Sequence, residues 1–192
     1  MKINSLLPLG LIVIMFACSP ATKLEKSWAD PSFNAATMKP FTKVLIVAPL
    51  KDASSQRIAE DKIKAQLKPG VGVQSYTYLK STDTDQKLVS EKLVKDGFDG
   101  VIVMSLKKIE QSTTYVPGSS YGGWYGYRSY SPGYYSEDQT FKVETNFYSI
   151  TEDKLLWSGT TSTLNPTSLD KSMDQIIYTI KYELQKKGFL RK

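Results

Sequence analysis

Histidine is absent from the 192-residue chain. With it go the commonest general acid/base and the commonest imidazole metal ligand. Cysteine occurs once, as Cys18, so no internal disulfide can form and a domain outside the cytoplasm must stand on its core. No apolar run reaches the roughly 20 residues a membrane-spanning helix needs; the run from Leu6 to Ala17 falls well short. P-loop, dinucleotide-glycine and metal-ligand spacings are missing as well, so neither cofactor nor metal is expected. Charge is not extreme: the net value is +6, or +5 without Lys2. Such a surplus reads first as solubility, and second as attraction to anionic lipid head groups or acidic glycans.

What is present begins with a leader. Lys2 precedes the apolar run Leu6–Ala17, the layout of a secretory signal peptide over residues 1–17. The run ends at Met15-Phe16-Ala17-Cys18-Ser19, which resembles the lipobox of bacterial lipoproteins. That resemblance implies lipidation at Cys18 and a membrane anchor of several acyl chains, each buried CH₂ adding roughly 0.8 kcal/mol. A plain secreted protein with an incidental cysteine is the alternative. A leader also takes the chain out of the cytoplasm, which argues against nucleic acid as a partner. Residues 18–40, rich in proline and small polar residues without a period, read as a tether. Trp28 and Phe33 are too large for pure linker and suit a segment that folds back onto the domain.

The remainder, 41–192, is expected to be one α/β domain. Lys43–Ala48 is a short β-branched apolar run closed by Pro49, hence a buried strand. Ser54 or Ser55 can cap a helix to Leu67, with Ala59, Ile63 and Leu67 on one face and Ile58 beside them. Val71–Leu79 reads as a strand with Tyr76 and Tyr78 on one side. Thr84 or Asp85 starts a second helix with Leu88, Val89 and Leu93 inward, and Gly97 stops it.

From Phe98 to Ile109 an unbroken apolar run gives way to alternation, as in a central strand that leaves the sheet. Phe141–Ile150 returns, Thr151-Glu152-Asp153 turns, and Lys154–Leu164 makes the fifth strand. Thr167-Ser168-Leu169-Asp170 has capping-box form. It opens a helix striped by Leu169, Met173, Ile176, Ile180 and Leu184 and stopped by Gly188. The order β-α-β-α-β-β-β-α predicts a five-stranded mixed sheet, strand order 2-1-3-4-5, with three helices and a long Tyr/Gly-rich hairpin arm.

This layout is similar to the small N-terminal α/β domain of the translocation protein TolB. It is similar too to envelope lipoproteins such as activators of penicillin-binding proteins. The stretches GFDGVIVMSLKKIEQSTTYVPG (Gly97–Gly118) and VETNFYSITEDKLLWSGTTSTLNP (Val143–Pro166) resemble uncharacterised bacterial lipoproteins, as does the C-terminal KKGFL. The resemblance implies a fold and a cell-envelope location, facing the periplasm from the outer membrane, and no active site.

Gly118-Ser119-Ser120-Tyr121-Gly122 matches the G-x-S-x-G nucleophile elbow. The elbow requires an apolar strand before it, a helix after it and a histidine base; none is predicted, so it is set aside. The acid pairs Glu137-Asp138 and Glu152-Asp153 fall in predicted turns, where carboxylates are solvated, and the spacing of a calcium loop is missing. The arm, 112–139, is compositionally distinct. Tyr115–Tyr135 holds seven of the twelve tyrosines and five of the twelve glycines, with Trp124 and one charge, Arg128. It has no aliphatic residue after Val116 and cannot build a core.

The arm is either a connecting tip or a contact surface built from rigid aromatic faces with polar rims. In the second case Tyr115, Tyr121, Trp124, Tyr125, Tyr127, Arg128, Tyr130, Tyr134 and Tyr135 carry it. The expected function is therefore a non-enzymatic binding or scaffolding lipoprotein of the envelope, held to the membrane and touching an envelope protein or glycan. The alternatives are a hydrolase or transferase using carboxylates, and self-assembly along a strand edge.

Overall fold

The computed structural model describes residues 22–34, 39–80, 82–83, 85–117, 119–122, 128–131 and 134–189. Cys18 and the expected leader, residues 1–17, lie outside them. The central strand β4 (Gly100–Val116) is flanked on one side by β2 (Val44–Val47) and on the other by β7 (Tyr134–Ser149). Beyond β2 lies the short β3 (Gly72–Gln74), and beyond β7 lies β8 (Lys154–Leu164). Here β2 runs parallel to β3 and β4, while β4, β7 and β8 pair antiparallel in turn. The predicted order of five strands is recovered.

A sixth strand corrects the expected tether. β1 (Thr22–Ala29) pairs antiparallel with β8 and forms the sheet edge. Its pattern hides it. Lys23, Glu25 and Lys26 are exposed, and the residues turned to the protein include the hydroxyls of Thr22 and Ser27 beside the small Ala29. The Thr22 and Thr163 hydroxyls meet at 2.8 Å, Thr22 donates to Gln175 at 3.1 Å, and Ser27 donates to Glu183 at 3.0 Å. Polar inward positions defeat a reading based on apolar alternation.

Four helices replace the expected three. α1 (Ala53–Lys64) is capped by Asp52, which accepts from the Ser55 amide at 2.8 Å, and not by Ser54 or Ser55. The predicted second strand stops at Gln74 and becomes the single helical turn α2 (Ser75–Tyr78). Tyr76 and Tyr78 consequently do not alternate along a strand; their hydroxyls donate to Asp61 at 2.7 Å and Asp96 at 2.6 Å. α3 (Gln86–Lys95) is capped by Asp85. Leu93 is buried, yet Leu88 is 64% exposed, contrary to expectation, because the helix meets the sheet along a narrow stripe. α4 (Leu169–Lys186) is capped by Ser168 rather than Thr167 and ends at Gly188, whose φ of 84° suits a residue without Cβ.

Adjacent residues of β2 point to opposite faces, and two clusters follow from that. Ile46 joins Ala59, Ile63, Met104, Trp157, Met173, Ile176, Ile177 and Ile180 under α1 and α4. Leu45 joins Leu93 and Phe98, with Val89 and Val101 at the margin, under α3. Among the described residues no helix is long and apolar enough to cross a membrane.

Candidate functional site

β4 and β7 outrun the rest of the sheet. Pairing with β2 ends at Val103, and pairing with β8 ends at Thr140. The two strands nonetheless stay in register from Glu110↔Thr140 to Val116↔Tyr134. A register shift between Leu106 and Lys108 marks the departure, an extra residue that bends the ribbon and raises its twist.

Charges ring the root of this arm. Glu110 pairs with Lys108 at 3.1 Å and with Lys142 at 3.1 Å, and Lys142 reaches Glu25 of β1 at 3.5 Å. Hydrogen bonds from Lys108 and Lys142 hold the Glu110 carboxyl below its ordinary range, and the bond to Glu110 raises Lys142.

Beyond the ring the predicted contact residues come into view. Tyr115 sits opposite Tyr135, with ring centroids 5.1 Å apart and planes tilted by 51°. Tyr115, Tyr134 and Tyr135 are 54%, 60% and 73% exposed, so the arm gathers three tyrosines outside the core. Between β4 and β7 in the chain, β5 (Ser119–Gly122) and β6 (Arg128–Ser131) pair antiparallel as a separate two-stranded sheet. Tyr121, Arg128 and Tyr130 belong to that sheet by their backbones, in the pairs Tyr121↔Ser129, Gly122↔Arg128 and Ser120↔Tyr130. Trp124, Tyr125 and Tyr127 lie outside the described residues.

Two surface features were not read from the sequence. A shallow trough of about 200 Å³ lies beside Trp28, with Ser158, Gly159 and Thr160 as its floor and Lys26 and Glu144 along it. The cross-strand rows Trp28–Ser158–Asn146 and Lys26–Thr160–Glu144 build it. Asn146 donates to Glu144 at 2.9 Å and Lys107 pairs with it at 3.1 Å; together they keep its carboxyl low. This carboxylate is therefore engaged, and the trough offers hydrogen bonds beside an indole rather than an acid–base pair. A groove of about 460 Å³ runs along α4, lined by Gln66, Tyr178, Lys181 and Tyr182 among others. Trp28's size was a signal for the first, and the i, i+4 spacing of Tyr178 and Tyr182 opposite the apolar stripe could have indicated the second.

The fully buried Glu60 is enclosed. Its carboxylate accepts from the Ala48 amide at 3.0 Å, Gln56 Nε2 at 3.0 Å, Ser75 Oγ at 2.6 Å and the Tyr76 amide at 3.3 Å. Such a group joins elements and cannot meet a substrate. Among the described residues no three His, Cys, Asp or Glu side chains gather as a metal site.

No family model and no curated protein sequence matches the chain. Solved structures similar to it include the PelC dodecamer from Paraburkholderia phytofirmans, at 12% identity and a TM-score of 0.46, covering 85% of this chain and 97% of that one. TolB from Acinetobacter baumannii is similar at 14% identity and a TM-score of 0.40, over 86% of this chain and 31% of TolB. Lipoprotein GNA1162 from Neisseria meningitidis is similar at 11% identity and a TM-score of 0.40, over 76% of this chain and 99% of that one. A lipoprotein and TolB thus stand among the similar structures, at low identity.

Proposed function

We propose that the chain is a non-enzymatic binding or scaffolding module of the bacterial cell envelope, lipid-anchored at Cys18, with the β4–β7 arm as its contact surface. The observation that carries the reading is the placement of Tyr115, Tyr134 and Tyr135. They stand exposed on a two-stranded ladder past the last residue that β8 or β2 covers. Burying aromatic faces is favourable, and a fold that leaves three of them outside its core has surface available for a partner. The leader pattern before Cys18 supports the location. The enclosure of Glu60 and the engagement of Glu144 support a role without catalysis.

The test uses the full chain with residues 119–133 replaced by a short turn and with Tyr115, Tyr134 and Tyr135 changed to serine. Shortening the loop this much changes closure entropy by about 1 kcal/mol, so the melting temperature stays within a few degrees. Association with isolated envelopes, measured by cosedimentation after the anchor is removed by Cys18→Ala, is lost along with the arm. Unchanged cosedimentation makes the arm a connector, and a collapse in stability makes it part of the core.

A further inference from the structure

Which surface the arm meets follows from where the chain enters the fold. Thr22 is paired with Thr163, Thr163 with Phe141, and Phe141 with Ile109. These four residues form one row across one end of the sheet. β1 and β7 are both antiparallel to β8 and so run in the same direction. The residues before Thr22 therefore enter from the side on which Tyr134 enters β7. Only Ser19, Pro20 and Ala21 separate Cys18 from Thr22, so the chain between them can extend no more than about 14 Å. Tyr134, seven positions before Phe141, lies about 24 Å past the same row if the ladder keeps its ordinary rise. The chain thus enters β1 at the end of the sheet from which the arm projects, and the arm outreaches the three intervening residues.

The chemistry of the arm changes where that geometry requires it. Lys108, Glu110, Lys142 and Glu25 pair off at the root. From Gln111 to Ser136 the sequence carries a single charge, Arg128, and no acid. Tyrosine and tryptophan favour the boundary between lipid head groups and acyl chains, where an apolar ring and a polar rim are both accommodated. Resting on the proposed anchor at Cys18, we infer that the aromatic arm docks on the bilayer that holds Cys18, so that lipid and tyrosines fix the domain at two points. Its occupant is the lipid interface, with no protein or glycan needed.

The acylated full-length protein in phosphatidylethanolamine/phosphatidylglycerol vesicles tests this. The proposed lipid occupies the Cys18 sulfur, so Thr114→Cys or Glu152→Cys supplies a unique thiol for an environment-sensitive fluorophore. Thr114 lies on the arm opposite Ser136, and Glu152 lies in the turn after β7 at the far end of the sheet. The label at 114 should shift to the blue and lose most of its emission to spin-labelled lipid, while the label at 152 should do neither. Adding Tyr115→Ser, Tyr134→Ser and Tyr135→Ser to the first variant should restore much of that emission. Equal behaviour of the two labels on protein shown by mass spectrometry to be acylated overturns the inference and leaves the anchor standing. Protection of position 114 by peptidoglycan fragments or a cross-linked protein, without lipid quenching, overturns it in favour of that partner. A Cys18 without acyl chains overturns the anchor and the inference together.

Discussion

Glu60 holds the Ala48 amide at 3.0 Å, so a carboxylate on α1 closes the end of β2 just before Pro49. The same oxygen takes the Ser75 hydroxyl at 2.6 Å, and its twin takes the Tyr76 amide at 3.3 Å, which fixes the first turn of α2. One side chain thereby serves three elements.

Glu60→Ala strands those donors in a dry interior, and each unsatisfied group costs about 1–3 kcal/mol. The expected loss in urea unfolding is about 3 kcal/mol or more. Glu60→Gln, which keeps one acceptor oxygen, should lose less. A Glu60→Ala midpoint equal to the parent's would refute the clamp.

Gly159→Ala should be destabilising although it is a change in a strand, where alanine is ordinarily tolerated. A Cβ at 159 would overlap the buried indole of Trp157, and overpacking costs typically about 1–3 kcal/mol. The displaced indole should shift the tryptophan emission to the red. An unaltered spectrum with unaltered stability would show that the ring has room to move.

Removing residues 1–29 tests β1. A tether could be removed without effect, whereas an edge strand takes with it the Thr22–Thr163 and Ser27–Glu183 contacts and the neighbour of Trp157. The expected result is a protein that unfolds in much lower urea than one truncated before Cys18. Equal midpoints would return the segment to the status of linker.

Burial, followed by the hydrogen bond to Asp96, pushes the Tyr78 hydroxyl up to about 12. An unfolded tyrosine ionises near 10, so between pH 10 and about 12 the unfolded chain has released a proton that the folded chain retains. Stability then falls as pH rises through that window. Tyr78→Phe should flatten the alkaline limb of the stability curve, while the lost bond to Asp96 lowers stability at pH 7–9 by a constant amount of about 1 kcal/mol. A limb of the same slope in the variant would assign the effect to other groups.

Apolar periodicity made most of the sheet legible. The runs at Val44–Val47 and Gly100–Met104 contribute to its two cores, and the stripe through Met173, Ile176 and Ile180 packs as its spacing requires. β1 was missed because its inward positions include Thr22 and Ser27, satisfied by Gln175 and Glu183 on α4. Those partners are more than a hundred positions away in sequence, and no local pattern announces them. Gln74 onward misled for a related reason: the donors of α2 are met by Glu60, itself hidden among the charges of an amphipathic helix. The exposed tyrosines of the arm were legible as composition. That the chain enters β1 at the end of the sheet from which they project follows from strand register, which no single segment encodes.

The conversion of a tether into an edge strand changes how far the domain could work from the anchor proposed at Cys18. A flexible linker over 18–40 would let it sample a volume with a root-mean-square reach of about 26 Å. The three residues left between Cys18 and Thr22 restrict it to about 14 Å. With a lipid on Cys18, the domain's encounters occur in two dimensions. Anything it meets must come down to the membrane surface, where a short leash raises the local concentration that a long one would dilute.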